Sequence, residues 1–131
     1  VGLCDGANVT NCGGKWQDGF LRTKARSLGD FCIMVDVTPP SVRPILLNTN
    51  MKSYKKMSFK ISDNISVAPN VKGLTYDAWI DGQWVLLEFD KKTATISHTF
   101  DEALGKGEHD LKLVVKDAVG NETVLERKFI R

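Results

Sequence analysis

The chain has 131 residues, 42% of them hydrophobic, with 18 Lys plus Arg against 16 Asp plus Glu and a formal charge of +2. That apolar content excludes a disordered chain, and the length fits one domain with a short additional block. The basic residues are scattered apart from Lys55-Lys56 and Lys91-Lys92, unlike the basic stripe of a nucleic-acid binder, and a lone Lys pair fits a solvated turn or a guarded sheet edge. No run is long and apolar enough to span a bilayer, and no leader pattern opens the chain. The first residue is Val1 rather than Met, so a longer parent is expected.

Residues 1 to 14 are rich in Gly, Asn and Asp and read as loop. The cysteines are Cys4, Cys12 and Cys32, an odd number that leaves at least one thiol unpaired. Cys4 and Cys12 flank the loop-like Asp5–Asn11 stretch and are placed to bridge. Zinc is the poorer reading, because no His lies near and no Cys-x-x-Cys pair exists. Cys32, inside Phe31-Cys-Ile-Met-Val35, reads as a small buried hydrophobe. Phe20–Arg26 and Phe31–Asp36 read as two short strands around a turn at Ser27–Asp30. Two strands are marginal alone, so this block is expected to pair onto neighbouring structure. Pro39-Pro40 then forms a stiff joint, since proline offers no amide to a ladder and biases its predecessor toward extended geometry.

Beyond the joint the pattern becomes regular. Strands are expected at Arg43–Leu47, Lys55–Ile61, Thr75–Asp81, Gln83–Phe89, Ala94–Phe100, His109–Asp117 and Glu122–Ile130. Met57, Phe59 and Ile61 alternate with Lys56, Ser58 and Lys60, and Leu111, Leu113 and Val115 mark a second half-buried face. Asp81-Gly82 is a two-residue hairpin signal, and Asp117–Asn121 makes a longer loop with Gly120 supplying positive φ. Residues 101–106 have room for one helical turn at most. About seven short strands with turn signals between them predict an all-β chain, an immunoglobulin or fibronectin-III-like sandwich over residues 38–131, preceded over residues 1–37 by the terminal strands of a preceding β module or by an N-terminal extension. The Cys-Trp-Cys pattern of antibody domains is absent, so the core must hold by apolar packing.

Signals for chemistry are few. His98 and His109 are the only histidines and neither begins a metal-binding or base-bearing motif. No nucleophile elbow, phosphate loop or dinucleotide fingerprint appears. No catalytic residue, metal ligand or cofactor-binding residue is therefore assigned. Asp36, Asp63 with Asn64, and Asp117 with Asn121 each fall at a strand end, where oxygen clusters can hold calcium. The simpler reading is that they cap turns through their own backbone. Trp79 and Trp84 flank the Asp81-Gly82 turn and are placed to meet cross-strand. With Tyr76 they are the candidate ligand platform, and Trp16 and Phe89 are further rings for such a surface. Three Asn-x-Ser/Thr triplets, at Asn8, Asn64 and Asn121, are given no role.

Several segments resemble one family. They are Gly14-Lys-Trp-Gln-Asp-Gly-Phe20, Lys24-Ala-Arg-Ser-Leu-Gly-Asp-Phe31, Val35-Asp-Val-Thr-Pro-Pro40, Phe59-Lys-Ile-Ser-Asp-Asn64, Ile80-Asp-Gly-Gln-Trp-Val-Leu86 and Val115-Lys-Asp-Ala-Val-Gly-Asn-Glu-Thr123. Together they resemble the C-terminal immunoglobulin-like region of lysostaphin-like zinc endopeptidases of Bacteroides-type bacteria, across nearly the whole chain. The Val-Asp-x-Thr-Pro-Pro and Asp-x-x-Gly-Asn pieces are the less specific ones, being common in bacterial immunoglobulin-like repeats. The stretch Ser62–Gly73 is longer than the usual turn, and the cysteines are outside the pattern.

The resemblance implies an envelope or secreted parent whose peptidase domain, upstream, binds zinc through His-x-x-x-Asp and His-x-His and cuts peptidoglycan cross-links. Neither motif is in this chain, so no catalytic residue carries over. The expected partners are that upstream peptidase domain and peptidoglycan or a surface glycan, with no nucleic acid and no membrane span. The alternative is a surface adhesion or carbohydrate-binding module.

Overall fold

A computed structural model describes residues 1–131 and contains strands and turns but no helix. The main body is two four-stranded antiparallel sheets. One has the order β10-β9-β13-β14, from β9 (Thr75–Ile80), β10 (Gln83–Val85), β13 (Glu108–Lys116) and β14 (Glu122–Ile130). The other has the order β11-β12-β7-β6, from β6 (Ser41–Leu46), β7 (Lys56–Ser62), β11 (Glu88–Asp90) and β12 (Thr95–Thr99).

The alternation that marks these strands in the sequence is what builds the core. Met57, Phe59 and Ile61 of β7 and Ile96 of β12 face Ala78 and Ile80 of β9, Leu111, Leu113 and Val115 of β13, and Leu125 and Phe129 of β14 in one cluster of 14 buried residues. Residues of both sheets thus share a single apolar interior, which is a β-sandwich. Met51 comes from the β6–β7 loop and is fully buried, its amide donating to the Ile130 carbonyl at the end of β14. Pro44 is tolerated because β6 is an edge strand with a register irregularity between Pro44 and Leu46.

One expected strand is in fact two. Residues Gln83–Phe89 pair with β9 as far as Val85, then leave that sheet, and Glu88–Asp90 pair with β12 of the other. Leu86 points to solvent and Leu87 into the core at the crossing, so a run that reads as one apolar strand spends its middle switching sheets. No helix forms at 101–106; the segment is a turn at Glu102 and Ala103, with Asp101 Oδ1 accepting from the Leu104 amide.

The N-terminal block departs further from expectation. Residues 1 to 14, read as loop, contain β1 (Gly2–Asp5) and β2 (Asn8–Asn11), a hairpin whose two-residue turn has Gly6 at φ 58°. A second hairpin joins β3 (Lys15–Gln17) to β4 (Phe20–Arg22) through Asp18 and Gly19, both at positive φ. The strand expected at Phe31–Asp36 is the shorter β5 (Asp30–Cys32), paired to β1. The resulting sheet, β5-β1-β2-β8, is completed from the sandwich side by β8 (Ser66–Val67), which runs parallel to β2. The long Ser62–Gly73 segment therefore joins the two blocks. Between β5 and β6, residues 33–40 form no ladder. Buried Pro40 lies against the sandwich, its carbonyl accepting from Thr123 Oγ1 at 2.5 Å.

Candidate functional site

The outward face of the β10-β9-β13-β14 sheet carries the two tryptophans. The Asp81-Gly82 turn, with φ of 51° and 78°, sets the β9–β10 register so that Trp79 and Trp84 are directly opposite. Trp84 is 57% exposed and its indole N–H donates to Asp77 Oδ1 at 3.0 Å. Asp77 sits two residues before Trp79, hence on the same face by the period-two rule. Register continues this face through Lys112, which pairs with Trp79, and Glu126, which pairs with Lys112. An open groove beside Trp79 is lined by Asp110, Lys112, Val114, Glu126 and Lys128. Lys128 holds Glu108 at 3.0 Å and Asp110 at 3.3 Å. Those two carboxylates raise its pKa, the hydrogen bond to Glu108 contributing most. The face thus combines flat amphipathic rings with donors and acceptors of both signs, the chemistry that meets a sugar's C–H face and its hydroxyls.

Tyr76 does not belong to that face. Its parity is that of Ala78 and Ile80, so it packs against the core and lies 5.9 Å from Phe89 of the opposite sheet. Trp16 stands on the separate β3–β4 hairpin, 69% exposed. The five aromatics thus divide among three places, because an odd spacing along β9 reverses the face and Phe89 follows the sheet switch. Ring pairs form elsewhere, His98–Phe100, Phe100–Phe129 and His109–Phe129 among them, and Trp84 is anchored by Asp77 instead.

Both histidines are bound into the fold. His98 Nδ1 donates to the Leu86 carbonyl at 2.9 Å, fixing the sheet-switching segment. His109 is buried and donates from both ring nitrogens, Nδ1 to Asp81 Oδ2 at 2.6 Å and Nε2 to the Gly105 carbonyl at 2.8 Å. Hydrogen bonding to Asp81 raises the His109 pKa against the opposing effect of burial, and the same bond with the Asp110 amide lowers that of Asp81. The pair ties the β9–β10 turn to the start of β13, a contact that no sequence spacing announces.

The pole where β7 and β13 end gathers Asp36, Asp63 and Asp117, with one oxygen of each within 4.8 Å of the others. Asp117 Oδ1 accepts the amides of Val119, Gly120 and Asn121 at 2.7–2.9 Å, and Oδ2 accepts Asn121 Nδ2 at 2.7 Å. Asp36 Oδ1 accepts the Thr38 amide and Asn64 Nδ2, and Asp63 Oδ1 accepts the Asn64 amide. Asn121 Nδ2 also reaches the Asp36 carbonyl at 3.1 Å. These carboxylates cap turns and fasten the joint to the sandwich. Calcium takes roughly six to eight oxygens, and here the oxygens of the most buried member, Asp117, are already engaged by N–H donors. Burial raises the Asp63 pKa, with repulsion from Asp117 and Asp36 adding to it.

Cys4 and Cys12 do not face each other. Cys4 shares a sheet face with Val9 and Asn11, whereas Cys12, one residue past β2, follows the parity of Thr10 and is buried with Sγ against the Thr10 carbonyl. Cys32 is half-buried rather than core, with its thiol at Cys4, and the Cys4 pKa is raised by the hydrogen bond to Cys32 and by burial. No known protein-family model and no curated protein matches this chain.

Proposed function

We propose that this chain is a non-catalytic, immunoglobulin-like accessory module of a bacterial cell-envelope zinc endopeptidase, holding the peptidase on wall polymer. The observation that carries the reading is the Trp79–Trp84 pair on an open sheet face beside a groove of mixed charge. The sequence segments named above support the parent class. The sheet orders β10-β9-β13-β14 and β11-β12-β7-β6, with a run that changes sheets in mid-course, support the immunoglobulin-like assignment. Zinc belongs, on this reading, to the peptidase domain of the parent and not to any residue of this chain. The apolar side chains that residues 1–37 leave in solvent, Trp16, Phe20 and Ile33 among them, support contact with that domain, in a parent that is periplasmic, outer-membrane-associated or secreted.

Sedimentation of the pure chain with peptidoglycan sacculi tests the reading. Co-pelleting is expected, and a chain that stays wholly in the supernatant would sink it. Hydrolysis of cross-linked muropeptides by the chain itself, abolished by a chelator, would overturn the non-catalytic assignment. The same tryptophan face favours a second reading, a surface adhesion or carbohydrate-binding module. Binding to non-wall glycans on an array, lost in Trp84→Ala, with none to sacculi, would select it.

A further inference from the structure

The N-terminal sheet brings two of the three thiols together. The β1–β5 ladder is antiparallel, with Gly2 opposite Cys32 and Cys4 opposite Asp30. Cys4 and Cys32 are therefore diagonal neighbours on one face, and their Sγ atoms lie 2.9 Å apart. An S–S bond needs about 2.0 Å between the sulfurs, so closing it asks for under about 1 Å of movement. Gly2 makes the approach possible. A Cβ there would stand 3.2 Å from Cys32 Sγ and 2.8 Å from Met34 Sδ, so the missing side chain is the space into which Cys32 leans. Both cysteines are half-buried, within reach of a small oxidant, while Cys12 is buried on the other face.

We propose that Cys4 and Cys32 form a disulfide, leaving Cys12 as the remaining thiol. The proposal does not depend on the tryptophan face. The co-reactant is a small-molecule or protein disulfide, such as glutathione disulfide. One cysteine thiolate attacks a sulfur of the donor, breaking its S–S bond and releasing one glutathione thiolate. The second cysteine thiolate attacks the resulting mixed disulfide and releases the other. Two protein thiols are oxidised, one glutathione disulfide is reduced to two glutathiones, and the two thiol protons end on them. The bond spans 28 positions in sequence and encloses β2 and the β3–β4 hairpin. It also fastens β5, an edge strand held to β1 by three residue pairs. Such a bond persists in an oxidising compartment.

The test is alkylation and peptide mapping of the full chain after equilibration with an excess of glutathione disulfide over glutathione. The expected product is a Cys4–Cys32 cross-linked peptide with Cys12 alkylated. A cross-link involving Cys12, or alkylation of all three cysteines, would overturn the proposal. Limited proteolysis of the same oxidised and reduced samples, which needs no variant, reads the consequence. Cleavage between residues 5 and 31 is expected to slow at least about tenfold on oxidation, and Cys12→Ser is expected to keep that difference. Equal rates in the two states would overturn the stapling of this segment.

Discussion

The sandwich and the N-terminal block are both built of short antiparallel strands, yet only the sandwich closes a core. It buries a cluster of 14 side chains contributed by both of its sheets and the Met51 loop. In residues 1–37 only Gly2 and Cys12 are buried, while Trp16, Phe20, Leu28, Phe31, Ile33, Val35 and Val37 remain exposed. A strand buries its apolar face only when another sheet supplies the opposing surface. The N-terminal block has short strands without that opposing surface, and it is fastened to the sandwich by polar contacts: the parallel β2–β8 pairing, Asn70 Nδ2 donating to the Lys24 carbonyl, and the Asp36–Asn64–Asn121 bonds. Stability is therefore expected to reside in the sandwich, and the block to open independently at lower free energy.

The largest test of that contrast is a matched pair of truncations. Phe59→Ala, at a fully buried position, is expected to cost about 3–5 kcal/mol in urea unfolding, and Phe20→Ala, 67% exposed, to change it by no more than about 0.5 kcal/mol. Equal losses would break the comparison.

Asp117→Ala comes next. It removes the acceptor of three hairpin amides and is expected to cost about 2 kcal/mol, with faster hydrogen exchange at Val119–Asn121.

A pH series sharpens the account of how the sandwich is pinned. The raised His109 pKa contributes stability present in full below its ordinary 6.5 and lost as pH rises through the folded value. The lowered Asp81 pKa contributes stability present above its ordinary 3.8 and lost as pH falls through the folded value. The wild type is thus expected to gain most over His109→Gln between those two ordinary values, as read from urea midpoints. A difference independent of pH would contradict the ionic contact.

The smallest effect is a gain. Asp63 has a raised pKa, so its charge opposes folding increasingly as pH rises through the folded value. Asp63→Asn is expected to raise Tm by about 1–2 °C near neutral pH, and a fall would show that the charge is needed at this pole.

The legible parts of the sequence were those where one physical signal acts alone. Alternation in Met57–Ile61 and Leu111–Val115, and the Asp81-Gly82 turn, correspond to β7, β13 and the β9–β10 hairpin. Asp18-Gly19 is the same turn signal, with both residues at positive φ, but the strands it joins, Lys15–Gln17 and Phe20–Arg22, are too short to show a period. The β1–β2 hairpin is masked for a related reason, since Asn8 and Asn11 are turn-forming residues drawn into a ladder by pairing. Trp79 and Trp84 were readable because a two-residue turn fixes their register. Asp77 was recoverable from parity, and Tyr76 belonged with Ala78 and Ile80 by that same parity. The Cys4–Cys32 approach depends on β5 returning beside β1, a long-range pairing with no local trace.

Exposed aromatic rings stand on both blocks, Trp84 on the sandwich and Trp16 and Phe20 on the N-terminal block, and the proposed function assigns wall contact to the first and domain contact to the second. Sacculus sedimentation of Trp84→Ala beside Phe20→Ala tests that assignment most directly. Trp84→Ala is expected to shift most of the chain into the supernatant while Phe20→Ala pellets like the wild type. Retention by Trp84→Ala with release of Phe20→Ala would place wall contact on the wrong block and contradict the account.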